Sequence, residues 1–178
     1  IVQVSFVTNQ AELKRIVEHR NTEITDSIKY AKRIQSAILP PDKLIREHLM
    51  NSFILYKPKD VVSGDFYWIE PTDNGIFFAA ADCTGHGVPG AMVSVICNGA
   101  LNRSVREFGL SAPGEILNKT RELVIKEFEK SEEEVQDGMD IALCKLKNTT
   151  LFYSGANNPL WIIRNSELIE TKADKQPI

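Results

Sequence analysis

Hydrophobic residues follow two rhythms along this chain, one helical and one strand-like, and the changes of rhythm mark out its elements. The opening residues, IVQVSFV, read as a short strand. From about 11 to 39 the spacing turns helical: Val17, Ile24, Ala31 and Ile38 recur every seventh position, with Leu13 and Ile34 on the alternate seam. Arg20 and Ser27 interrupt that seam and Ile16 and Ile28 widen it. The stretch therefore reads either as a coiled coil or as one amphipathic helix packed on its own domain. Pro40 and Pro41 end it, because a proline disfavours helical geometry at the residue before it. A brief helix over 42–50 and a strand over 52–56 are expected next, then a charged turn with Lys57, Lys59 and Asp60.

The middle of the chain changes period twice. Val61, Val62, Phe66, Tyr67, Trp68 and Ile69 make a strand interrupted by Ser63 and Gly64, and a glycine inside such a pattern marks a bulge or a close backbone approach. A turn over 71–75 leads into six consecutive apolar residues, 76–81, which read as a strand buried on both faces. The two strands are close enough in sequence to pair as an antiparallel hairpin. Thr84, Gly85, His86 and Gly87 then form a turn, and Pro89 suits the first turn of a helix. Helices are expected over 91–108 and 113–130, an acidic solvated loop over 131–136, and strands over 139–146, 150–154, 159–164 and 168–171, with turns at Asn148, Asn157 and Asn158. Strands, two helices and more strands predict an α+β layered sandwich.

Composition narrows the class without naming a chemistry. The 178 residues are 43% hydrophobic and 25% charged, which suits a folded domain, and the net charge of -3 gives no sign of nucleic-acid binding. Three cysteines without CxxC spacing, Cys83, Cys97 and Cys144, read as buried thiols in a reducing, cytoplasmic setting. No apolar run approaches the roughly 18 residues of a membrane span. The chain begins at Ile1 rather than Met, which suggests a piece of a longer protein.

Candidate chemistry gathers around Asp82, where the buried strand runs out. Gly85, Gly87 and Gly90 fit the dinucleotide spacing GxGxxG, but Asp82 would press a negative charge toward the pyrophosphate. About twenty residues on, where an acidic ribose ligand should end a second strand, the chain is still helical around Arg106 and Glu107. A hard divalent cation fits better, since it takes carboxylate and carbonyl oxygens and retains water. Alternatively Asp82 only caps its turn. A second acid, Asp65, follows Gly64 on the partner strand, and two like charges brought together call for a cation. Asp137 and Asp140 flank Gly138; Asp137 is read as a turn residue, and Asp140 stays open between a further metal ligand and a turn. His86 is open between a proton donor to a leaving group and an ordering residue of its loop. Lys57 and Lys59 are open between phosphate contacts and a solvated turn. Neither His19 nor His48 sits in a constellation.

Together SGDFYW and ADCTGHGVPGAM, with the lead-in SIKYAKRIQSAILPP, resemble the PPM superfamily of metal-dependent serine/threonine protein phosphatases, in its bacterial SpoIIE/RsbU-like branch. The likeness runs from about Ser27 to the chain end. It implies a layered α-β-β-α sandwich, incomplete at the C-terminus, with residues 1–40 as an N-terminal segment and linker helix and 41–178 as a partial phosphatase domain. It implies Asp65 and Asp82 as metal ligands, with the Cys83 main-chain carbonyl beside them, and two manganese or magnesium ions bridging a water aimed at phosphorus.

The expected substrate is a phosphoserine or phosphothreonine protein, such as an anti-sigma-antagonist-like protein of a partner-switching pathway. The expected setting is a homodimer joined through the N-terminal helix below an upstream sensor. Related enzymes carry a further acidic motif and another acid beyond the point where this text ends, at KADKQPI, and GANNPL has Asn157 where the branch commonly has histidine. A regulatory, dimerising or phosphoprotein-binding module without turnover is therefore the second expectation.

Overall fold

A computed structural model describes residues 2–130 and 137–178, with side chains from Gln10 onward. The acidic stretch 131–136, expected as a loop, lies outside the described residues. Helix α1 spans Val2–Ser36 without a break. Of the strand expected over the first seven residues, the described part, from Val2 on, is corrected to helix: no breaker lies between Val2 and the proline pair, and extending an existing helix costs far less than nucleating one. The apolar seam of α1 remains open, with Leu13, Ile16, Val17, Ile24 and Ile34 at 50–61% exposure. Packing onto the domain is confined to the last turns, where Ile28, Ala31 and Gln35 lose exposure.

Helix α2, Asp42–His48, follows Pro41 and packs Ile45 against Ile69 and Ile76. The strand expected over 52–56 is not formed. That segment has no ladder partner among the described residues, and Phe53 and Leu55 are 90% and 75% exposed. Strand β1 is Phe66–Thr72 and β2 is Gly75–Cys83, joined at Asp73 and Asn74. Strand β1 starts five residues later than the apolar pattern suggested, because Val61 to Asp65 form a loop that buries Val62. Pro71 is tolerated because β1 is an edge strand.

The expected antiparallel hairpin is present, pairing Phe66 with Ala81 and Thr72 with Gly75. Strand β3, Met139–Lys147, lies on the other side of β2, and β4, Thr150–Ala156, lies beyond it, giving the order β1-β2-β3-β4 with every pair antiparallel. Strands β5, Leu160–Arg164, and β6, Glu167–Thr171, form a separate two-stranded sheet. Their turn places Asn165 and Ser166 at positive φ, as a tight two-residue hairpin requires.

Helices α3, Gly87–Arg106, and α4, Pro113–Phe128, cover one face of the large sheet. Pro113 opens α4, where its missing amide proton costs nothing. The core between the layers takes Phe66, Trp68, Phe77, Ala79, Ala81, Met139, Ile141 and Leu143 from the sheet and Val93, Cys97, Leu101, Ile116 and Val124 from the helices. Strand β2 was expected to be buried on both faces. It alternates instead toward its C-terminal end, with Phe77, Ala79, Ala81 and Cys83 buried and Ala80 and Asp82 exposed, so the second face, covered by α2 around Ile69 and Ile76, is open at the Asp82 end.

Charged groups on the packed face have their polar atoms bonded. Arg106 grips Glu70 through two bonds of 2.7 and 2.6 Å, and buried Lys145 donates to the Ser111 carbonyl at 2.8 Å while lying over the Phe77 ring. Cys83, Cys97 and Cys144 are free and buried, and burial pushes the Cys144 thiol up to about 11. Among the described residues no helix is long and apolar enough to cross a membrane.

Leu101 is fully enclosed between the layers. Leu101→Ala is expected to lower unfolding free energy by about 2–5 kcal/mol, read from a urea denaturation midpoint at unchanged slope. A change below ~1 kcal/mol would mean that the layers close over the gap.

Candidate metal centre

The hairpin register decides where the carboxylates fall. Phe66 faces Ala81, so Asp65 and Asp82 come next on either side of the same open end, and Asp82 is itself paired with Asp140 on β3. Side chains alternate faces along a strand, and all three acids share parity with Tyr67, Ala80 and Ala142 on the open face. Three carboxylates, one on the residue just before β1 and one each on β2 and β3, therefore stand in one row at one end of the sheet.

The backbone forces this approach. The position that a Cβ on Gly64 would take lies 2.7 Å from the Gly85 carbonyl oxygen and 2.9 Å from that of Cys83. A Cβ on Gly90 would come within 2.5 Å of the same Gly85 oxygen. Only bare glycines let the loop before β1 lie against the loop after β2. Gly85 and Gly87 take the bends between them at φ values of +85° and +62°. Thr84 ties the far side by donating its amide to the Gly138 carbonyl at 3.0 Å and accepting the Gly138 amide on its hydroxyl at 3.2 Å. On the near side the Ser63 hydroxyl accepts the Asp65 amide at 3.0 Å.

Asp65 and Asp82 are thereby brought near enough for each carboxyl to act on the other. Partial burial, then the Asp65 carboxyl, then the Asp140 charge raise the Asp82 carboxyl above the usual carboxylate range. That is the electrostatic mark of like charges held together without a counter-charge. The Cys83 side chain is buried in the core on the face opposite Asp82, where the neighbouring Cys97 thiol and burial push its thiol up, while its carbonyl faces the Gly64 junction. Asp140 is partly committed, since its Oδ1 accepts the Asn157 amide at 2.7 Å.

His86 occupies the N-cap of α3 and pairs with Asp60. Asp137 sits just before β3, next to the Gly138 that Thr84 holds. Lys57 and Lys59 are exposed.

Among the described residues no three carboxylate, imidazole or thiol groups gather into a ready-made metal cage. The donor set still fits a hard divalent ion: the Asp65 and Asp82 carboxylates and main-chain oxygens suit magnesium or manganese, with water completing the shell.

Three contributors escaped the sequence. Asp60 reads as part of a charged turn, and only its neighbour across the glycine junction gives it a role. Gln35 lies in a helical pattern, with nothing to show that its amide would be 5% exposed and bonded to Ser63 and Ser94. Asn157 was noted as a departure from histidine, but not as the partner of Asp140. Its positive φ of 58° turns the chain after β4.

Helices α3 and α4 packed on one face of an antiparallel sheet, with acids along one end of the other face, match the fold of PP2C phosphatase domains. Residues 72–178, more than half of the chain, match the family described as Stage II sporulation protein E (SpoIIE). The chain belongs to the SpoIIE family. Among solved structures it is similar to the SiaA-PP2C domain of Pseudomonas aeruginosa at 32% identity and a TM-score of 0.78, over 89% of this chain and 63% of that one. It is also similar to the PP2C phosphatase domain of SpoIIE from Bacillus subtilis, solved with a fragment of its regulatory domain. There the identity is 19% and the TM-score 0.51, over 66% of this chain and 33% of that one. The chain thus spans less than two thirds of either relative. No curated protein matches it in sequence.

Gly64→Ala should drive the two loops apart and weaken manganese binding by about tenfold or more in isothermal titration, because neither carbonyl it meets can move independently of the backbone. Gly99→Ala, whose Cβ meets nothing within 4 Å inside α3, should instead raise stability by roughly 0.5–1 kcal/mol with manganese binding unaltered. Equal effects of the two substitutions would count against the junction.

Proposed function

We propose that this chain carries the metal-binding part of a protein serine/threonine phosphatase domain, which hydrolyses phosphoserine or phosphothreonine on a protein substrate. The observation that carries this reading is the shared row of Asp65 and Asp82, next to Asp140 across the β2-β3 pair. Asp65 and Asp82 would hold manganese or magnesium together with the Cys83 carbonyl, and Asp140 would approach from the third strand. When bound, such ions neutralise phosphate oxygens and make a water acidic enough to attack near neutral pH.

The chain itself contributes position. Ser63 fixes the Asp65 backbone, Thr84 fixes the exit from β2, and the glycine junction sets the spacing of the two acids. His86 would give a proton to the departing serine or threonine oxygen. No nucleophilic side chain is required, and no GxSxG occurs in the sequence.

Regulation through the N-terminal helix is part of the proposal, and Gln35 supports it. Its amide donates to the Ser63 carbonyl and, at 3.0 Å, to the Ser94 hydroxyl, while its oxygen accepts the Ser63 amide at 3.1 Å. The end of α1 is thus bonded to the segment that carries Asp65 and to α3. The open seam along α1 supports a homodimer formed by two such helices, through which an upstream sensor would act. The proposed setting is a cytoplasmic partner-switching pathway, with an anti-sigma-antagonist-like phosphoprotein as substrate.

Asp82→Asn is expected to reduce manganese-dependent hydrolysis of a phosphoserine peptide by about a thousandfold or more while circular dichroism stays unaltered, because the ion's charge stabilisation is lost. Turnover equal to that of the unsubstituted chain rejects the assignment. Binding of the phosphoprotein without hydrolysis, both here and in a longer chain, would favour the non-catalytic module, a reading that the Asn157 bond to Asp140 keeps alive.

Gln35→Ala should lower manganese affinity by roughly 2- to 30-fold, the equivalent of about 0.5–2 kcal/mol of coupling. Unchanged affinity in titration would uncouple α1 from the site.

A further inference from the structure

His86 stands at a position where a side chain ordinarily does local work. It is the N-cap of the 20-residue helix α3, with extended backbone at φ -132° and ψ 170°. N-cap residues stabilise a helix by accepting one of its first amide protons, yet the His86 side chain makes no capping bond. Its Nδ1 lies 3.0 Å from Oδ2 of Asp60, 26 residues earlier in the chain. A residue that merely ordered its own loop would bond within that loop. This one reaches across to the loop before β1.

The pair bridges the two loops that carry the acids. Asp60 precedes Asp65 by five residues and His86 follows Asp82 by four. These are the loops that Gly64, Gly85 and Gly90 clamp together. Gly87, next to His86, turns the chain at φ +62° and lies beside the Asp60 carboxylate, the position of a Cβ there being 3.5 Å from Asp60 Oδ2. The side chains of His86 and Asp60 are 75% and 42% exposed, so the ion pair adds little to stability. What it fixes is direction. A carboxylate can only accept, so the bond keeps a proton on Nδ1 and leaves Nε2 as the nitrogen open to a ligand or to solvent.

We propose that Asp60 is a positioning residue that holds His86 with Nε2 directed at the leaving oxygen, making His86 the general acid of phosphoester cleavage. The proposal rests on the phosphatase reading. As the oxygen of the attacking water bonds to phosphorus, the bond from phosphorus to the serine oxygen breaks and its electron pair stays on that oxygen. The same oxygen takes the Nε2 proton and leaves as the serine hydroxyl. The imidazole is left neutral with Nδ1–H still on Asp60. One proton of the attacking water passes to solvent and a solvent proton restores Nε2, so that one water is consumed in all. A serine alkoxide is a poor leaving group and gains most from such a proton, whereas p-nitrophenolate leaves readily without one.

The test compares a phosphoserine peptide with p-nitrophenyl phosphate, each at saturating manganese, on the full chain and its variants. His86→Gln should lower kcat on the peptide by about a hundredfold, the lower end of what general acids supply, and on p-nitrophenyl phosphate by only about threefold, with KM little changed on either. Asp60→Ala should show the same selectivity at roughly tenfold on the peptide, Asp60→Asn should recover part of that loss because its amide oxygen still accepts from Nδ1, and Asp60→Ala should add nothing in the His86→Gln background.

Long-range nitrogen-15 spectra, with the signal assigned by its loss in His86→Gln, should show Nδ1–H in the unsubstituted chain and a shift to Nε2–H in Asp60→Ala. Equal losses on both substrates, or an unchanged tautomer in Asp60→Ala, overturn the role of Asp60 while leaving the phosphatase reading intact. Manganese binding with turnover of neither substrate, both in this chain and in a longer one, overturns the phosphatase reading, and this role with it.

Discussion

Everything at the functional end of this domain depends on two loops being allowed to touch. Gly64 lies against the carbonyls of Cys83 and Gly85, and Gly90 closes on the same Gly85 oxygen from the helix side. Three positions without side chains thus form a single backbone contact. Because of it, an acid that ends one loop and an acid that begins the other become neighbours, at an electrostatic cost visible in the raised Asp82 carboxyl. The antiparallel register supplies direction and the glycines supply distance. Neither alone would bring Asp65 to Asp82.

The contact is also a meeting point for more distant parts of the chain. Helix α1 arrives through Gln35, which is bonded to both the amide and the carbonyl of Ser63. Strand β3 arrives through Gly138 and Thr84, and β4 arrives through Asn157 and Asp140. Rigid elements from both ends of the sequence therefore end on the same few residues, and a change in any of them is felt where charge is concentrated. The rest of α1 makes no comparable attachment, which gives the helix one firm end and one long free seam.

Much of this was legible in the sequence, and the parts that were not share a physical reason. The apolar run of β2, the punctuation by Pro89 and Pro113, and the short hairpin turn are local signals, and helices α3 and α4 and strands β1 to β6 follow from them. The pairing of Asp65 with Asp82 was legible because it needed only a hairpin and a glycine. Two strand expectations failed where local propensity met tertiary context. The opening residues are rich in β-branched side chains, but from Val2 onward they extend an uninterrupted helix. Residues 52–56 have a strand-like pattern but no ladder partner among the described residues. Asp60, Gln35 and Asn157 stayed hidden because each acts through a single long-range hydrogen bond, and no periodicity announces such a bond.

The packed face of the sheet carries its two charged side chains at the end away from the acids. Glu70 and Lys145 both flank Phe77, one held by Arg106 from α3 and the other by the Ser111 carbonyl. Among the described residues Lys145 is the one lysine or arginine that is fully buried, and that far end is where it lies. Charge is thus distributed along the strands, with Glu70 neutralised by Arg106 and Lys145 held by a carbonyl at one end of the packed face, and the Asp65, Asp82 and Asp140 carboxylates gathered at the other end of the open face. Whatever balances the acidic pole has to be exchangeable with the surrounding medium, so the ionic composition of the solution becomes, in effect, part of the fold at that end.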